Sequence, residues 1–187
     1  MASVVRRLIV TLATLALLAV PGVPAVASGD VEPVASLPRT PASVGSFTQA
    51  LGFRIGHISI PAIGVNEIIR EGIHMDVINR GVAHWAGTAQ AGGQGNMVLA
   101  GHRTTFSRPF HDLDRLERGD RIFVTGLDGQ VVLYRVSEIL IVDPSAVWVV
   151  GITPTPTLTM FACHPKGSAA QRIVVRAEME SYPLALP

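Results

Sequence analysis

Short apolar runs separated by turn residues make up most of the chain after about residue 50. The runs are rich in β-branched and aromatic residues, a composition that favours strands over helices. Six runs have this character: 53–65, 96–102, 121–126, 130–142, 157–163 and 172–179. Asp128 and Gly129 lie between two of them and predict a hairpin turn. Strands of this length and spacing predict a mainly β fold, either a closed barrel or a sandwich.

Helical patterns are few and brief. Segments 66–71, 76–80 and 109–117 each have the pattern of one or two helical turns. The chain shows no internal repeat that would indicate a repeated array of small units. A few short helices are therefore expected beside the strands, within a single domain.

The first 27 residues have the layout of a secretory signal. Arg6 and Arg7 precede the apolar residues 8–20, and small residues follow at 25–27. Counted through to Val26, the apolar stretch approaches the roughly 20 residues of a membrane-spanning helix. A cleaved signal and an uncleaved anchor both remain open. In either case the basic residues mark the cytoplasmic side, so the rest is expected on the outer face of the membrane or secreted.

The remainder divides into a linker and one domain. Residues 28–52 are rich in Ser, Pro, Ala and Gly, which predicts a flexible linker, and residues 53–181 are long enough for one hydrophobic core. The net charge is +1, from 15 Lys and Arg against 14 Asp and Glu, with no dense basic cluster. This composition argues against nucleic acid or an anionic membrane surface as the partner.

Cys163 is the only cysteine in the 187 residues, so it can form no intramolecular disulfide. In an exported protein a lone cysteine is a reactive thiol, an intermolecular link or an inert buried residue. Cys163 ends one strand-like run and Arg172 opens the next. If the two runs pair as an antiparallel hairpin, these side chains lie together at the sheet rim. An arginine there can stabilise a developing oxyanion or a thiolate.

A thiol nucleophile also needs an acid–base group, and histidine acts as one near neutral pH. His102 ends the run 96–102 and is the leading candidate, ahead of His84 and His164. On an extended strand His164 would point to the opposite face from Cys163. The other histidines are His57, His74 and His111.

No metal site or other cofactor is expected from the spacing of the ligand-type residues. One cysteine with scattered histidines lacks the close pairs of a structural zinc site. The acidic residues Asp112, Asp114, Glu117 and Asp120 are interpreted as a helix surface and a turn, although calcium remains open. Trp85, Trp148, Phe106 and Phe110 are interpreted as core or groove-wall residues.

Several ordered segments carry a family resemblance: SIPAIGV, HWAGTAQAGGQGNMVLAGHRTT (84–105), FHDLDRLERGDRI (110–122) and TMFACHPKGSAAQRIVV (159–175). They resemble the sortases, extracytoplasmic cysteine transpeptidases of mainly Gram-positive bacteria, and most closely the actinobacterial class E. The resemblance implies a closed sortase-type β-barrel of about eight strands.

The resemblance also implies residue roles. Cys163 matches the nucleophile of the TLxTC motif, His102 the catalytic histidine and Arg172 the arginine that opens the next strand. Ala162 departs from the motif, which has Thr there. Phe106 is a candidate for the wall of the peptide groove because it follows His102 closely. Arg176 is a rival to Arg172 because it lies on the same strand face.

The implied reaction is cleavage of an LAxTG-like or LPxTG-like sorting signal between Thr and Gly, through a thioester on Cys163. The implied partners are surface proteins or pilins that bear such a C-terminal signal, and an amine of a cell-wall precursor or a pilin. Two other functions stay open. One is a secreted cysteine peptidase in which water replaces the amine. The other is a non-catalytic β-barrel that binds peptides or wall polymer.

Overall fold

The structure, a computed structural model, describes residues 52–181. The expected signal or anchor at 1–27 and the expected linker up to residue 51 lie outside the described residues. Within residues 52–181 no helix combines the length and the apolar character needed to cross a membrane. The fold below is therefore that of the predicted domain alone.

Strands make up most of the regular structure. They are β1 (Arg54–Ile60), β2 (Val65–Glu71), β3 (Val82–His84), β4 (Asn96–Ala100), β5 (Arg121–Gly126), β6 (Val131–Val142), β7 (Thr157–His164) and β8 (Gln171–Ser181). The α-helix α1 (Met75–Ile78) and the 3-10 helices Pro61–Ile63, Leu113–Arg115 and Val147–Val150 are short. The prediction of a mainly β fold with a few short helices is confirmed.

The eight strands close into one barrel, in the order β1-β2-β3-β4-β7-β8-β6-β5. Strand β5 pairs with β1, from Gly126 opposite Gly56 to Phe123 opposite Ser59, and this pairing joins the two ends of the sheet. Closing a sheet in this way removes the free strand edges that promote aggregation. The predicted closed barrel of about eight strands is thus confirmed.

Two neighbouring pairs in the barrel are parallel, β2 with β3 and β4 with β7. The β4–β7 pair runs from Asn96 opposite Thr157 to Ala100 opposite Phe161. Parallel neighbours need a crossover connection; between β4 and β7 this connection contains β5 and β6. The C-terminal ends of β4 and β7 consequently lie side by side at one end of the barrel.

Alternate residues of each strand point into the barrel and form its core. In the two strands nearest the site the inward residues are Leu158, Met160 and Ala162 of β7 and Ile173, Val175 and Ala177 of β8. Each large apolar side chain buried in this way stabilises the fold by about 1.5–3 kcal/mol. Because the side-chain period of a strand is two, Cys163 and Arg172 belong to the outward-facing set.

The segment 66–71 was expected to be helical and is instead strand β2. It pairs with β1, with Ile58 opposite Glu67, and its apolar residues Val65 and Ile69 point into the core. Pairing on both sides outweighs the helical preference of a short segment. Strand β3 has only three residues, too few to produce a period in the sequence. The predicted hairpin is confirmed: β5 and β6 pair across it, and Gly129 has φ +79°.

The expected helix at 109–117 is also shorter than predicted, since only Leu113–Arg115 forms a 3-10 turn. The carbonyl of His111 accepts a hydrogen bond from Nε of Arg103 at 2.8 Å. That carbonyl would accept a main-chain amide in a regular helix. The buried arginine therefore occupies a hydrogen-bonding group that a longer helix would need. The third segment, 76–80, overlaps α1.

Candidate active site

Cys163 and Arg172 are directly opposite each other on β7 and β8. The hairpin predicted from the two runs exists, and directly opposed residues of an antiparallel pair project from the same face. Cys163 is a free, half-buried thiol. Next along the outer face, Phe161 is opposite Val174. A thiol and a guanidinium therefore share the rim of the sheet, with apolar side chains beside them.

His102 reaches the same rim from the parallel neighbour β4. The ladder between β4 and β7 ends where Ala100 is opposite Phe161 and the amide of Gly101 donates to the carbonyl of Phe161 at 3.3 Å. Two residues further along each strand are His102 and Cys163. On β7 the period of two keeps Cys163 on the outer face with Phe161, and the bond from Gly101 to Phe161 continues the chain after β4 alongside β7 towards His102. The register thus places His102 beside Cys163.

The side chain of His102 has two defined contacts. Its Nε2 lies 2.8 Å from Oδ1 of Asn79, the residue that follows α1. An amide oxygen only accepts, so Nε2 carries the proton and Nδ1 remains for the thiol. The ring stacks on Phe106, with 4.9 Å between ring centroids and 27° between planes. Partial burial lowers the pKa of His102 below 6.5, so the imidazole is neutral at pH 7.

The remaining candidates lie apart from this group. His164 faces the other side of β7, as expected, and its Nδ1 is 3.2 Å from Nη1 of Arg103. His84 is fully buried, with its Nδ1 2.8 Å from a carboxylate oxygen of Glu71. His84 thus has a structural contact at the opposite end of β3 from the site.

Arg172 is held against the loop that joins β7 to β8. Its Nη1 donates to the carbonyls of Ala169 at 2.9 Å and Gln171 at 2.8 Å. The rival Arg176 is opposite Thr159 rather than Cys163. Arg176 packs under the Trp148 ring, 5.0 Å from the ring centroid, in a cation–π contact. Of the two arginines, Arg172 is the one beside the thiol.

A groove continues from Arg172 along the outer face of β7 and β8. A narrow cavity of about 70 Å³ lies there. Its lining includes Trp85, Val147, Phe161, Arg172 and Val174. Trp148 is 53% exposed on the rim, and Phe106 is 63% exposed beside His102, whereas Phe110 is fully buried in the core. Phe110 therefore belongs to the core and Trp85 to the cavity wall, and the place of Phe106 in the peptide groove stays a prediction.

Hydrogen bonds from the side chain of Asn96 hold the 3-10 helix Val147–Val150 in place, and this helix forms one wall of the groove. Its Nδ2 donates to the carbonyls of Val149 and Gly151, each at 3.1 Å. Its Oδ1 accepts a hydrogen bond from the hydroxyl of Thr159 at 2.7 Å. Asn96 is only 3% exposed, so these bonds satisfy a buried amide. Neither Asn96 nor Asn79 has a signal in the sequence, because both act across long chain separations.

A larger cavity of about 560 Å³ opens at the other end of the barrel, between Phe53, Glu71 and Leu127. The strand directions place Cys163 at the opposite end, so this cavity is separate from the site. Among residues 52–181 no three His, Cys, Asp or Glu side chains lie close enough together to hold a metal ion. Two of the acidic residues considered for calcium, Asp112 and Asp114, form ion pairs with Lys166.

Comparison with known proteins identifies the family to which the domain is similar. The model of the Sortase domain matches residues 58–180. Sortase SrtE1 of Streptomyces coelicolor is 34% identical over a 152-residue alignment that covers 73% of this chain and 43% of that protein. Sortase A of Streptococcus agalactiae is 30% identical over a 132-residue alignment that covers 67% of this chain and 53% of that protein. The chain thus spans about half the length of these two relatives.

Solved structures show the same barrel. The Sortase D5 transpeptidase of Clostridium perfringens superposes with a TM-score of 0.64 at 33% identity, covering 70% of this chain and 81% of that one. A sortase E mutant of Streptomyces avermitilis gives 0.63 at 29% identity, covering 70% and 90%. Sortase C of Streptococcus pneumoniae gives 0.66 at 28% identity, covering 71% and 72%. The resemblance drawn from the sequence segments is confirmed.

Proposed function

This chain belongs to the sortase family, and we propose that it acts as a cysteine transpeptidase on the sorting signals of exported proteins. The observation that carries the proposal is the convergence of Cys163, His102 and Arg172 on one face, at adjoining ends of β7, β4 and β8. A nucleophile, an acid–base group and a cation within one rim are what acyl transfer requires.

In the first step the sulfur of Cys163 attacks the threonine carbonyl carbon of the Thr-Gly bond. The thiol proton passes to His102, whose pKa is lowered and which is therefore available as a base at pH 7. Arg172 stabilises the negative charge on the carbonyl oxygen. The C–N bond then breaks, His102 returns the proton to the departing glycine amine, and the acyl group remains on sulfur as a thioester.

In the second step an amine attacks the thioester carbon and the C–S bond breaks. His102 takes a proton from the incoming amine and gives it back to the sulfur, so the enzyme returns to its starting state. A thioester that persists long enough meets an amine rather than water, which makes transfer the outcome. The proposed acceptor is an amine of a cell-wall precursor or a pilin.

The groove favours an apolar signal. Trp85, Phe161 and Val174 give it apolar surface close to Arg172, and such walls suit the Leu-Ala or Leu-Pro part of an LAxTG-like or LPxTG-like peptide. Similarity to SrtE1 supports class E, for which LAxTG is the implied signal. Ala162 stands where the TLxTC motif has Thr, and therefore has no hydroxyl to offer to the peptide. Its side chain lies in the core at 3% exposure.

Location and partners follow from the same proposal. The N-terminal segment would place the domain outside the cytoplasmic membrane, as an anchor or as a cleaved signal. The substrates would be surface proteins or pilins that carry a C-terminal sorting signal. The solved sortase C of Streptococcus pneumoniae is described in terms of pilin substrate specificity, which supports pilins as one class to test here.

The test separates transfer from hydrolysis. Full-length protein is mixed with an LAxTG or an LPxTG peptide and a glycine amine, and the products are followed by mass spectrometry. Amine-joined peptide in excess over the free acid is expected. Free acid as the main product at saturating amine would instead identify a cysteine peptidase, and the relative rates rank the two signals.

A further inference from the structure

Cys163 on β7 and His102, two residues beyond the end of β4, are each followed by a residue whose side chain lies on another side of the chain. Arg103 follows His102, and His164 follows Cys163. On β7 the side-chain period of two turns His164 away from the face of Cys163, and Arg103, just beyond the end of β4, is buried. Their side chains meet there, with Nη1 of Arg103 3.2 Å from Nδ1 of His164. The contact between Arg103 and His164 therefore lies directly behind His102 and Cys163.

Arg103 is 2% exposed, which is unusual for an arginine unless its donors are satisfied. Its Nε donates to the carbonyl of His111 at 2.8 Å, and its Nη2 lies 2.8 Å from a carboxylate oxygen of Asp114. Its Nη1 is shared between His164 and the main-chain carbonyl of Cys163, at 3.2 and 3.5 Å. One guanidinium thus contacts the strand of the nucleophile and the loop that follows His102.

The contact with Arg103 fixes the form of His164. A guanidinium only donates hydrogen bonds, so Nδ1 of His164 accepts and the ring proton lies on Nε2. The contact thus fits the tautomer of His164 that carries its proton on Nε2. Its ring orientation is also set, because Nδ1 must face the guanidinium.

The position of this contact along the strands gives it a consequence for the site. The main-chain ladder between β4 and β7 ends with the bond from Gly101 to Phe161. Beyond that bond the two chains continue to His102 and Cys163 without further strand pairing. Beyond the end of the ladder, the bonds from Arg103 to Cys163 and His164 connect the two chains.

We propose that Arg103 and His164 are positioning residues, which hold the strand ends in the register that brings the His102 ring to the Cys163 sulfur. The proposal rests on the proposed function, because it concerns the geometry of that reaction. The groove wall is fastened separately by Asn96. Loss of the contact between Arg103 and His164 therefore lowers kcat and leaves KM nearly unchanged.

Four variants test the proposal in the full-length protein. Arg103→Lys keeps a cation for Asp114 but loses the fork that reaches several partners. His164→Leu removes the acceptor, whereas His164→Asn keeps an acceptor oxygen near the place of Nδ1. Lys166→Gln is the matched control, because the ion pairs of Lys166 are with Asp114 and Asp112 and not with the Arg103–His164 contact.

Arg103→Lys and His164→Leu are expected to lower kcat by about 10- to 100-fold with KM within about twofold, as for a small misplacement of reacting groups. His164→Asn is expected to restore kcat to within about threefold of the unchanged protein. Lys166→Gln should keep kcat. The kinetics are measured at a temperature well below the melting temperature of every variant. If Arg103→Lys and His164→Leu lower the melting temperature but leave kcat unchanged in this assay, the inference is wrong.

A second measurement does not depend on activity. In histidine-labelled protein at pH 7, ring-nitrogen NMR shifts should show His164 as the Nε2–H tautomer, and Arg103→Lys should give a mixture. A protonated His164 ring or its Nδ1–H tautomer in the unchanged protein would contradict the hydrogen bond between Arg103 and His164. If the unchanged protein joins no amine to either peptide, the proposed function fails, and these shifts still decide whether Arg103 holds His164.

Discussion

Oδ1 of Asn79 lies 2.8 Å from Nε2 of His102, and this hydrogen bond fixes which nitrogen of the ring can face Cys163. Asn79 follows α1 and its main-chain amide closes that turn onto Met75. The hydrogen bond of its side chain goes to His102, so a change at Asn79 is expected to act on the orientation of that ring. The pairing gives the proposed acid–base group an orientation without adding a charge.

Asn79→Ala is expected to lower kcat/KM by about tenfold, because the imidazole loses the acceptor that orients it. The measurement is steady-state transfer kinetics at pH 7. Asn66→Ala is the matched control, since Asn66 is exposed on β2. Equal kcat/KM in the two variants would show that the 2.8 Å contact has no part in the reaction.

Asn79→Asp tests the protonation state of His102. Burial lowers the pKa of His102 below 6.5, so the neutral base is present above that pKa and activity falls as pH drops through it. A carboxylate at position 79 favours the charged imidazolium and raises the pKa. The acid limb of the kcat/KM profile should therefore move to higher pH, and a limb that stays in place counts against His102 as the base.

Arg172→Ala is expected to lower kcat by about 10²- to 10³-fold, the loss typical of removing one oxyanion donor. Arg172→Lys should recover only part of this, because lysine lacks the planar set of donors. Arg176→Lys serves as the control and should stay near full activity, since a lysine keeps a cation under Trp148. The reverse ranking would assign the role to Arg176.

Asn96→Ala is expected to raise KM more than it lowers kcat. The change leaves two main-chain carbonyls and the Thr159 hydroxyl without their partner, and it loosens the wall formed by Val147–Val150. Each buried polar group left unpaired costs about 1–3 kcal/mol, so the denaturant midpoint should also fall. An unchanged KM with a lower midpoint would mean that the wall does not touch the peptide.

The ion pairs of Asp114 predict a loss of stability in acid. Burial acts to raise the pKa of this carboxyl, but Arg103 and Lys166 outweigh burial and hold it below 3.8. A carboxyl with a lowered pKa stabilises the fold above its unfolded value, and this contribution is lost as pH falls through the folded value. Denaturant midpoints measured from pH 5 to 2 should fall, and Asp114→Asn should flatten that fall. An equal slope in the variant would contradict the assignment.

The sequence predicted the thiol and its nearest partners because they depend on local patterns. Cys163 and Arg172 flank one turn, so strand alternation and hairpin pairing were enough to bring them together. His102 ended a recognisable run, and the family resemblance selected it among the histidines. The closed barrel followed from the number of strands together with the same resemblance.

Other features had no local signal. Asn79 is 23 residues from His102 and Arg103 is 61 from His164, so neither contact appears as a period or a motif. Strand β2 was mistaken for a helix because Asn-Glu-Ile-Ile-Arg-Glu has the composition of one, and its pairing with β1 and β3 decides otherwise. Such contacts depend on tertiary register, which a single sequence does not display.

The central claim is that Cys163 becomes acylated by a sorting-signal peptide with the help of His102. The most direct test is intact-protein mass spectrometry of the full-length chain mixed with an LAxTG or LPxTG peptide without added amine, alongside Cys163→Ala and His102→Ala. We predict a mass increase equal to the peptide acyl group up to threonine, on Cys163 alone, and absent or greatly slowed in both variants. No adduct on the unchanged protein, while Cys163 still reacts with a small thiol reagent, would contradict the account.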